Sequence, residues 1–252
     1  MELDTLSLVI LFFSGLMAGF IDSIAGGGGI ITLPALLAVG IPPHQALATN
    51  KLQSSFGSFT ATLNYTRVGL MNPKELVVGI LFTLIGAGIG AIVVQWFKAD
   101  FLVSLIIVML IVIFIYTLLT PNLGKVKTEH KMSHNLFYTI FGLLIGFYDG
   151  FFGPATGSFW TMAMVLLIGL DLKTATAQTK LFNFTSNIVS LIVFIYSGLV
   201  VWIAGLIMGV GQIIGAFLGS SLVSKKEVKF IRVFFLTIVA LTIAKLVYQK
   251  FF

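Results

Sequence analysis

An all-α polytopic membrane protein of about ten helices, arranged as two inverted five-helix repeats, is the fold this chain predicts. Three observations carry that expectation. First, the chain is 58% hydrophobic and 10% charged, with a mean hydropathy of +1.08, whereas a soluble domain is about 25% charged. Second, Gly19-Phe20-Ile21-Asp22 returns as Gly146-Phe147-Tyr148-Asp149. Third, a glycine-rich interruption follows each copy, at Gly26 to Gly29 and at Gly153-Pro154-Ala155-Thr156-Gly157. From Gly28 onward an offset of 129 residues pairs Thr32 with Thr161, Gly40 with Gly169, Lys51-Leu52 with Lys180-Leu181 and Gly86-Ala87 with Gly215-Ala216. A soluble alternative would bury every long apolar run in one core, and 252 residues cannot enclose them.

The elements follow in order. A membrane helix needs roughly 20 apolar residues. Runs of that kind cover Leu6–Ile24, Lys74–Phe97, Phe101–Leu119, Asn135–Phe152, Val200–Leu222 and Phe230–Tyr248. Longer mixed helices cover His44–Thr66 and Lys173–Tyr196. Ile30–Val39 and Ser158–Ile168 are too short. Eleven helical residues rise about 16 Å, and four or five extended residues add about 13–16 Å. Together these approach a hydrocarbon core of about 30 Å, so each short run reads as part of a span unwound at its glycines. A re-entrant hairpin is the rival geometry. The count is ten crossings: a first repeat over residues 1–120, a linker over 121–133 and a second repeat over 134–252.

Charge sets the orientation. Ten crossings put Arg67, Lys74, Lys125, Lys127, Lys131, Lys173, Lys225, Lys226, Lys229 and Arg232 on one face, with Lys98, Lys245 and Lys250 near the other. The richer face is cytoplasmic by the positive-inside rule, which puts both termini outside. An odd number of spans per repeat inverts the second copy. The net charge of +6 follows from this bias and asks for no nucleic-acid partner; lipid is the expected surround. A homodimer is compatible with the chain. The acidic start Met1-Glu2-Leu3-Asp4 lacks the basic region of a cleaved leader. No cysteine is present, which excludes disulfides and thiolate sites.

Four charges fall at membrane depth: Asp22, Lys51, Asp149 and Lys180. Each costs roughly 2.5–3.5 kcal/mol at the bilayer centre on insertion scales, so such residues face a cavity or a partner. One assignment is a pair of structural Asp–Lys bridges tying the first and third helices of each half. The other is substrate or ion handling, with Asp22 and Asp149 orienting the lysines or carrying a coupling proton. Unwound glycines expose backbone donors and acceptors that protein, water or a ligand must satisfy. Helices opening after the breaks, at Ile30 and Ser158, would point partial positive charge inward and favour an anion. Gly26, Gly27, Gly28, Gly29 and Gly157 are therefore candidate binding positions.

The third helix of each half carries a polar stripe: Asn50, Ser54, Gly57/Ser58 and Asn64, then Thr179, Asn183, Ser186/Asn187 and Ser190. Helical spacing puts each set on one face. These groups serve an oxyanion or a neighbouring helix equally well. Asn50, Ser54, Thr179 and Asn183, nearest the lysines, are the candidates. Glycines four apart, as at Gly86/Gly90 and Gly211/Gly215/Gly219, fit close helix packing. Trp160 is a further candidate for the cavity wall, and His44, His130 and His134 are expected in loops. No zinc-protease, nucleophile-elbow or phosphate-loop motif occurs, so neither an enzyme nor a cofactor is expected.

The run Gly19-Phe20-Ile21-Asp22-Ser23-Ile24-Ala25-Gly26-Gly27-Gly28-Gly29, with Leu33-Pro34-Ala35-Leu36, Gly40-Ile41-Pro42-Pro43 and Ala48-Thr49-Asn50-Lys51-Leu52, resembles the sulfite exporter TauE/SafE family, also called the toluene sulfonate uptake permeases. Phe56-Gly57-Ser58-Phe59-Thr60-Ala61 is similar to a branch of uncharacterised bacterial permeases within it. The resemblance spans both repeats and implies transport of sulfite or organosulfonate anions across the bacterial inner membrane. The second break departs from the family's fuller glycine cluster, which makes the two half-sites unequal. The expected function is a secondary transporter of a small anion working by alternating access. An anion channel of the same fold, a membrane enzyme, and an assembly or sensor subunit are the rivals.

Overall fold

The computed structural model describes residues 3–119 and 132–225. Nine α-helices form among them: α1 (Thr5–Ala25), α2 (Gly29–Ala38), α3 (Pro43–Arg67), α4 (Val77–Val93), α5 (Ala99–Leu119), α6 (His134–Phe151), α7 (Thr156–Ile168), α8 (Leu172–Tyr196) and α9 (Trp202–Lys225). Four segments of this set are long and apolar enough to cross a membrane: Thr5–Ala25, Pro73–Trp96, Leu172–Tyr196 and Trp202–Val223. Gly29–Ala38 and Thr156–Ile168 are shorter apolar helices. The expected span Phe230–Tyr248 and most of the linker lie outside the described residues, as does His130. His44 and His134 stand in the first turns of α3 and α6, where loops were expected.

Local chemistry sets the helix ends. Asp4 caps α1 by accepting from the Ser7 N–H at 3.0 Å. Asp171 caps α8 by accepting from the Lys173 and Thr174 N–H groups at 3.0 and 3.1 Å. Pro43 opens α3 at a position where its missing N–H costs nothing. Gly26 closes α1 with φ +74°, left-handed backbone that glycine adopts without strain.

Helix directions follow from the residues that touch. Phe12, Leu16 and Phe20 of α1 meet Gly211, Gly215 and Gly219 of α9 in ascending order. Leu52 and Phe56 of α3 meet Gly205 and Gly209. Thus α1, α3 and α9 run in one direction. Leu143 and Phe147 of α6 meet Gly86 and Gly90 of α4 in the same way, and Phe182 and Val189 of α8 meet Gly79 and Gly88. Thus α4, α6 and α8 share a direction. The N–H of Val201, just beyond α8, donates to Thr49 Oγ1 near the start of α3 at 3.0 Å, so the two sets oppose each other. The segments α1–α4 and α6–α9 are therefore related by inversion, as the odd spacing of spans predicts.

The halves are interlaced rather than set side by side. The first helix of each half packs on the fourth helix of the other, α1 on α9 and α4 on α6, and the third helices pack the same way, α3 on α9 and α8 on α4. Glycine makes these crossings close. A Cβ on Gly19 would lie 2.6 Å from the Gln212 carbonyl oxygen, and one on Gly146 would lie 2.8 Å from that of Thr83. The result is two four-helix units, α1–α3 with α9 and α6–α8 with α4, meeting chiefly where α3 crosses α8. Of the described basic residues outside the ion pairs, Arg67, Lys74, Lys173 and Lys225 fall by position on one side and Lys98 on the other, the asymmetry expected of a membrane chain.

Candidate functional site

The two chain breaks meet each other. Between α1 and α2 only Gly26 to Gly28 are unwound, and between α6 and α7 Phe152 to Ala155. The helices resume at Gly29 and Thr156, slightly earlier than the expected Ile30 and Ser158. A Cβ on Gly157 would lie 2.6 Å from Gly26 Cα and 3.1 Å from Asn183 Nδ2, so only glycine permits this crossing. The Ser158 N–H donates to the Gly26 carbonyl at 3.0 Å, and its hydroxyl lies 2.8 Å from the Ala25 carbonyl oxygen and 2.9 Å from that of Gly26. The start of α7 thereby caps the end of α1, and the Ser158 N–H is already spent on that contact.

The ion pairs cross between the halves. Lys51 Nζ lies 2.7 Å from Asp149 Oδ1, with side chains 1% and 5% exposed. Lys180 Nζ lies 2.9 Å from Asp22 Oδ2, at 0% and 21% exposed. Each ammonium also donates to the backbone carbonyl of its aspartate. The expected bridges between first and third helices of the same half are thus replaced by bridges from one half to the other. The reason is the interlaced fold, which carries the end of each first helix to the third helix of the opposite half. Asp22 gains a further partner in the Gly28 N–H at 3.2 Å.

Beside these pairs is a polar cavity of about 20 Å³ lined by Asp22, Gly28, Gly29, Asn50, Ser54, Asp149, Gly153, Ala155, Thr156, Gly157, Asn183 and Asn187. That volume suits a group the size of water. Of the expected site residues, Gly28, Gly29, Asn50, Ser54, Gly157, Asn183 and both aspartates stand on its wall. Lys51 and Lys180 do not; they sit behind their carboxylates, fully buried. Thr179 is also off the wall, 3.1 Å from Thr161 Oγ1, mirroring the 2.5 Å contact of Thr32 with Asn50. Gly26 and Gly27 build the crossing without lining the cavity. Trp160 is corrected outright: it is fully buried and stacks on Phe182 at 4.6 Å, inside a hydrophobic cluster.

The sequence pattern marked Gly153 and Thr156 only as part of the second break and Asn187 only as part of the polar stripe, and it did not single out Gln53. Gln53 is fully buried and donates from Nε2 to Asn50 Oδ1 and Ser54 Oγ, both at 2.7 Å. Its place three residues beyond Asn50, one helical turn on, was the available signal. Asn183 Oδ1, Ser186 Oγ, Ser190 Oγ and Gln53 Oε1 are buried without a protein partner, an uncommon density of unmet polar atoms. Among the described residues no cluster of His, Cys, Asp and Glu has the makings of a metal site.

Comparison with known proteins points to a family of membrane transporters. The family model described as Sulfite exporter TauE/SafE matches residues 11–246. "Probable membrane transporter protein YfcA" of Escherichia coli (strain K12) is 46% identical over 97% of this chain and 91% of its own length. "Probable membrane transporter protein ORF9" of a Sinorhizobium species is 46% identical over 89% of this chain and 86% of its own. "Probable membrane transporter protein" of Haemophilus influenzae is 38% identical over 96% and 95%. No solved structure matches.

Proposed function

Because this chain belongs to the sulfite exporter TauE/SafE family, we propose that it is a secondary transporter moving a small anion, a sulfur oxyanion or organosulfonate, across the bacterial inner membrane. The observation that carries the proposal is the crossing of two inverted helix breaks at a polar cavity flanked by buried ion pairs. Discontinuous helices at the interface of inverted repeats are where such transporters bind their cargo. On this reading residues 1–120 and 134–252 are the two repeats, joined on the cytoplasmic side, with both termini outside.

The interlaced packing makes the moving bodies the two four-helix units, α1–α3 with α9 and α6–α8 with α4. Rocking the sequence repeats as rigid blocks would tear α1 from α9 and α4 from α6, where backbones touch. Sliding at the α3–α8 contact spares both. Each lysine stands eight residues into its helix, roughly 12 Å, from opposite sides of the protein. The two pairs therefore act as gates in series. Opening toward one side parts one pair, and the freed ammonium meets the anion while the other pair stays shut. A released carboxylate near an anion is repulsive unless it takes a proton, which couples the anion to proton movement. A cavity of this size and the gates beside it favour a carrier over an open channel.

The test is uptake by purified protein in liposomes, with sulfite, thiosulfate, sulfonates and sulfate as probes, with and without a pH gradient. Saturable flux of at least one probe is expected, abolished in Lys51→Ala and in Lys180→Ala. Full flux in both variants would return the lysines to a purely structural role. High unitary conductance would replace the carrier with a channel.

A further inference from the structure

The polarity of the cavity wall is set by a residue that does not reach the cavity. Asn50 and Ser54 stand on the wall, and each side chain can face a ligand as donor or as acceptor. Gln53 decides which. Its Nε2 donates to Asn50 Oδ1 and to Ser54 Oγ, both at 2.7 Å. Thr32 Oγ1 occupies Asn50 Oδ1 from the other side at 2.5 Å. With its oxygen saturated, Asn50 has only its NH2 left for the cavity. With its oxygen accepting, Ser54 keeps its hydroxyl proton to donate. The opposite setting, with the Gln53 amide reversed, would bury an NH2 where Oε1 now lies without a partner at zero exposure. An NH2 stranded there forfeits two donors, whereas a carbonyl oxygen goes without a partner at lower cost.

Resting on the transport reading above, we propose that Gln53 is the specificity-determining positioning residue of this transporter, holding Asn50 and Ser54 as hydrogen-bond donors so that the cavity, water-sized while both gates are shut, accepts an oxyanion once one pair parts and widens it. The need is physical. The cavity wall carries the carboxylates of Asp22 and Asp149, and an anion entering beside them requires donors of fixed direction. Gly29 and Gly157 stand on the same wall at the starts of α2 and α7, where the first N–H groups of a helix have no partner within it, and the amide of Asn50 and hydroxyl of Ser54 would complete a donor set contributed by both halves. Gln53 exerts its effect only through Asn50 and Ser54, which distinguishes it from a residue that binds cargo.

The test compares wild type with Gln53→Met and Gln53→Glu in liposome uptake, using sulfite and sulfate as probes. Gln53→Met keeps the volume and removes both donated bonds, freeing Asn50 to turn. Losing one oriented hydrogen bond to an ion is worth about tenfold, so KM for the transported anion should rise about tenfold while kcat holds within about twofold. Gln53→Glu accepts where Gln53 donated, turns the Asn50 carbonyl inward, and should raise KM further. In an Asn50→Ala/Ser54→Ala background, Gln53→Met should add less than about twofold. An unchanged KM in Gln53→Met, or an equal further loss in the double-alanine background, overturns the inference and leaves the transport reading intact. If wild type neither transports nor is thermally stabilised by sulfite, sulfate, thiosulfate or a sulfonate, the transport reading falls and the inference with it. Should Gln53→Glu fail to fold, Gln53→Met and the double-alanine background decide the matter.

Discussion

The crossed ion pairs make a prediction that no intra-repeat pairing shares. Lys51→Met strands an Asp149 carboxylate only 5% exposed, and an uncompensated buried charge costs about 3–5 kcal/mol. Asp149→Leu strands the Lys51 ammonium, which keeps the Asp149 backbone carbonyl as one acceptor, so its cost falls near the lower end, about 3 kcal/mol. The double variant removes both charges at once and should cost no more than about 2 kcal/mol, because an apolar replacement for a buried pair is often near neutral. The coupling between Lys51 and Asp149 is then at least about 4 kcal/mol. Lys51 and Asp22 belong to the same repeat yet form no ion pair with each other, and Lys51→Met with Asp22→Asn should come far closer to additivity, with a coupling under about 1 kcal/mol. The assay is reversible unfolding of purified protein in mixed micelles, read by tryptophan fluorescence across the three single variants and the two double variants. Strong coupling within a repeat, or additivity between Lys51 and Asp149, would refute the crossed arrangement and the gates built on it.

Further predictions follow from the same packing. Gly90→Ala drives a Cβ into the Phe147 carbonyl and should cost about 1–3 kcal/mol as overpacking, whereas Gly88→Ala meets only Val189 Cγ1 at 3.5 Å and should be neutral in the same unfolding assay. Trp160→Ala should lose about 3–5 kcal/mol of stability with KM for the transported anion unchanged, since its ring packs on Phe182 and away from the cavity. Burial raises the Asp171 carboxyl, but the hydrogen bonds from Thr174 and Lys173 outweigh it and hold the group below the usual carboxylate range. The cap's contribution is therefore present above the unfolded carboxylate pKa and lost as pH falls through the lower folded value. Asp171→Ala should cost about 1 kcal/mol at neutral pH and nothing in strong acid, and Asp171→Asn should remove the pH dependence while keeping most of the cap. The chain has no cysteine, so Arg67→Cys and Ser197→Cys should react with a membrane-impermeant maleimide from opposite sides. Labelling of both from one side would contradict the inverted topology.

The amino-acid sequence by itself determined the solvent, the repetition and the sense of the chain. A low charge content fixed the membrane, because apolar surface of this extent has nowhere else to go. The return of Gly19-Phe20-Ile21-Asp22 as Gly146-Phe147-Tyr148-Asp149, with the offset that pairs Lys51 with Lys180, exposed the duplication, and the spacing of spans implied inversion. The glycines marked where the helices break, since no other residue allows backbones to approach as Gly26 and Gly157 do. Partnership was another matter. Asp22 and Lys51 belong to one copy, and local spacing ties them together as readily as it separates them. Only the interlacing of α1 with α9 and of α6 with α4 sends each aspartate to the opposite lysine, because that choice depends on which backbones touch across sequence separations of more than a hundred residues. For the same reason Trp160, polar enough at its edge to suit a cavity, was decided by the ring of Phe182 that happens to cover it. The place of Gln53 one turn beyond Asn50 was legible in the sequence, but its direction was not, because a buried amide declares its direction only when the atoms on both sides of it are known.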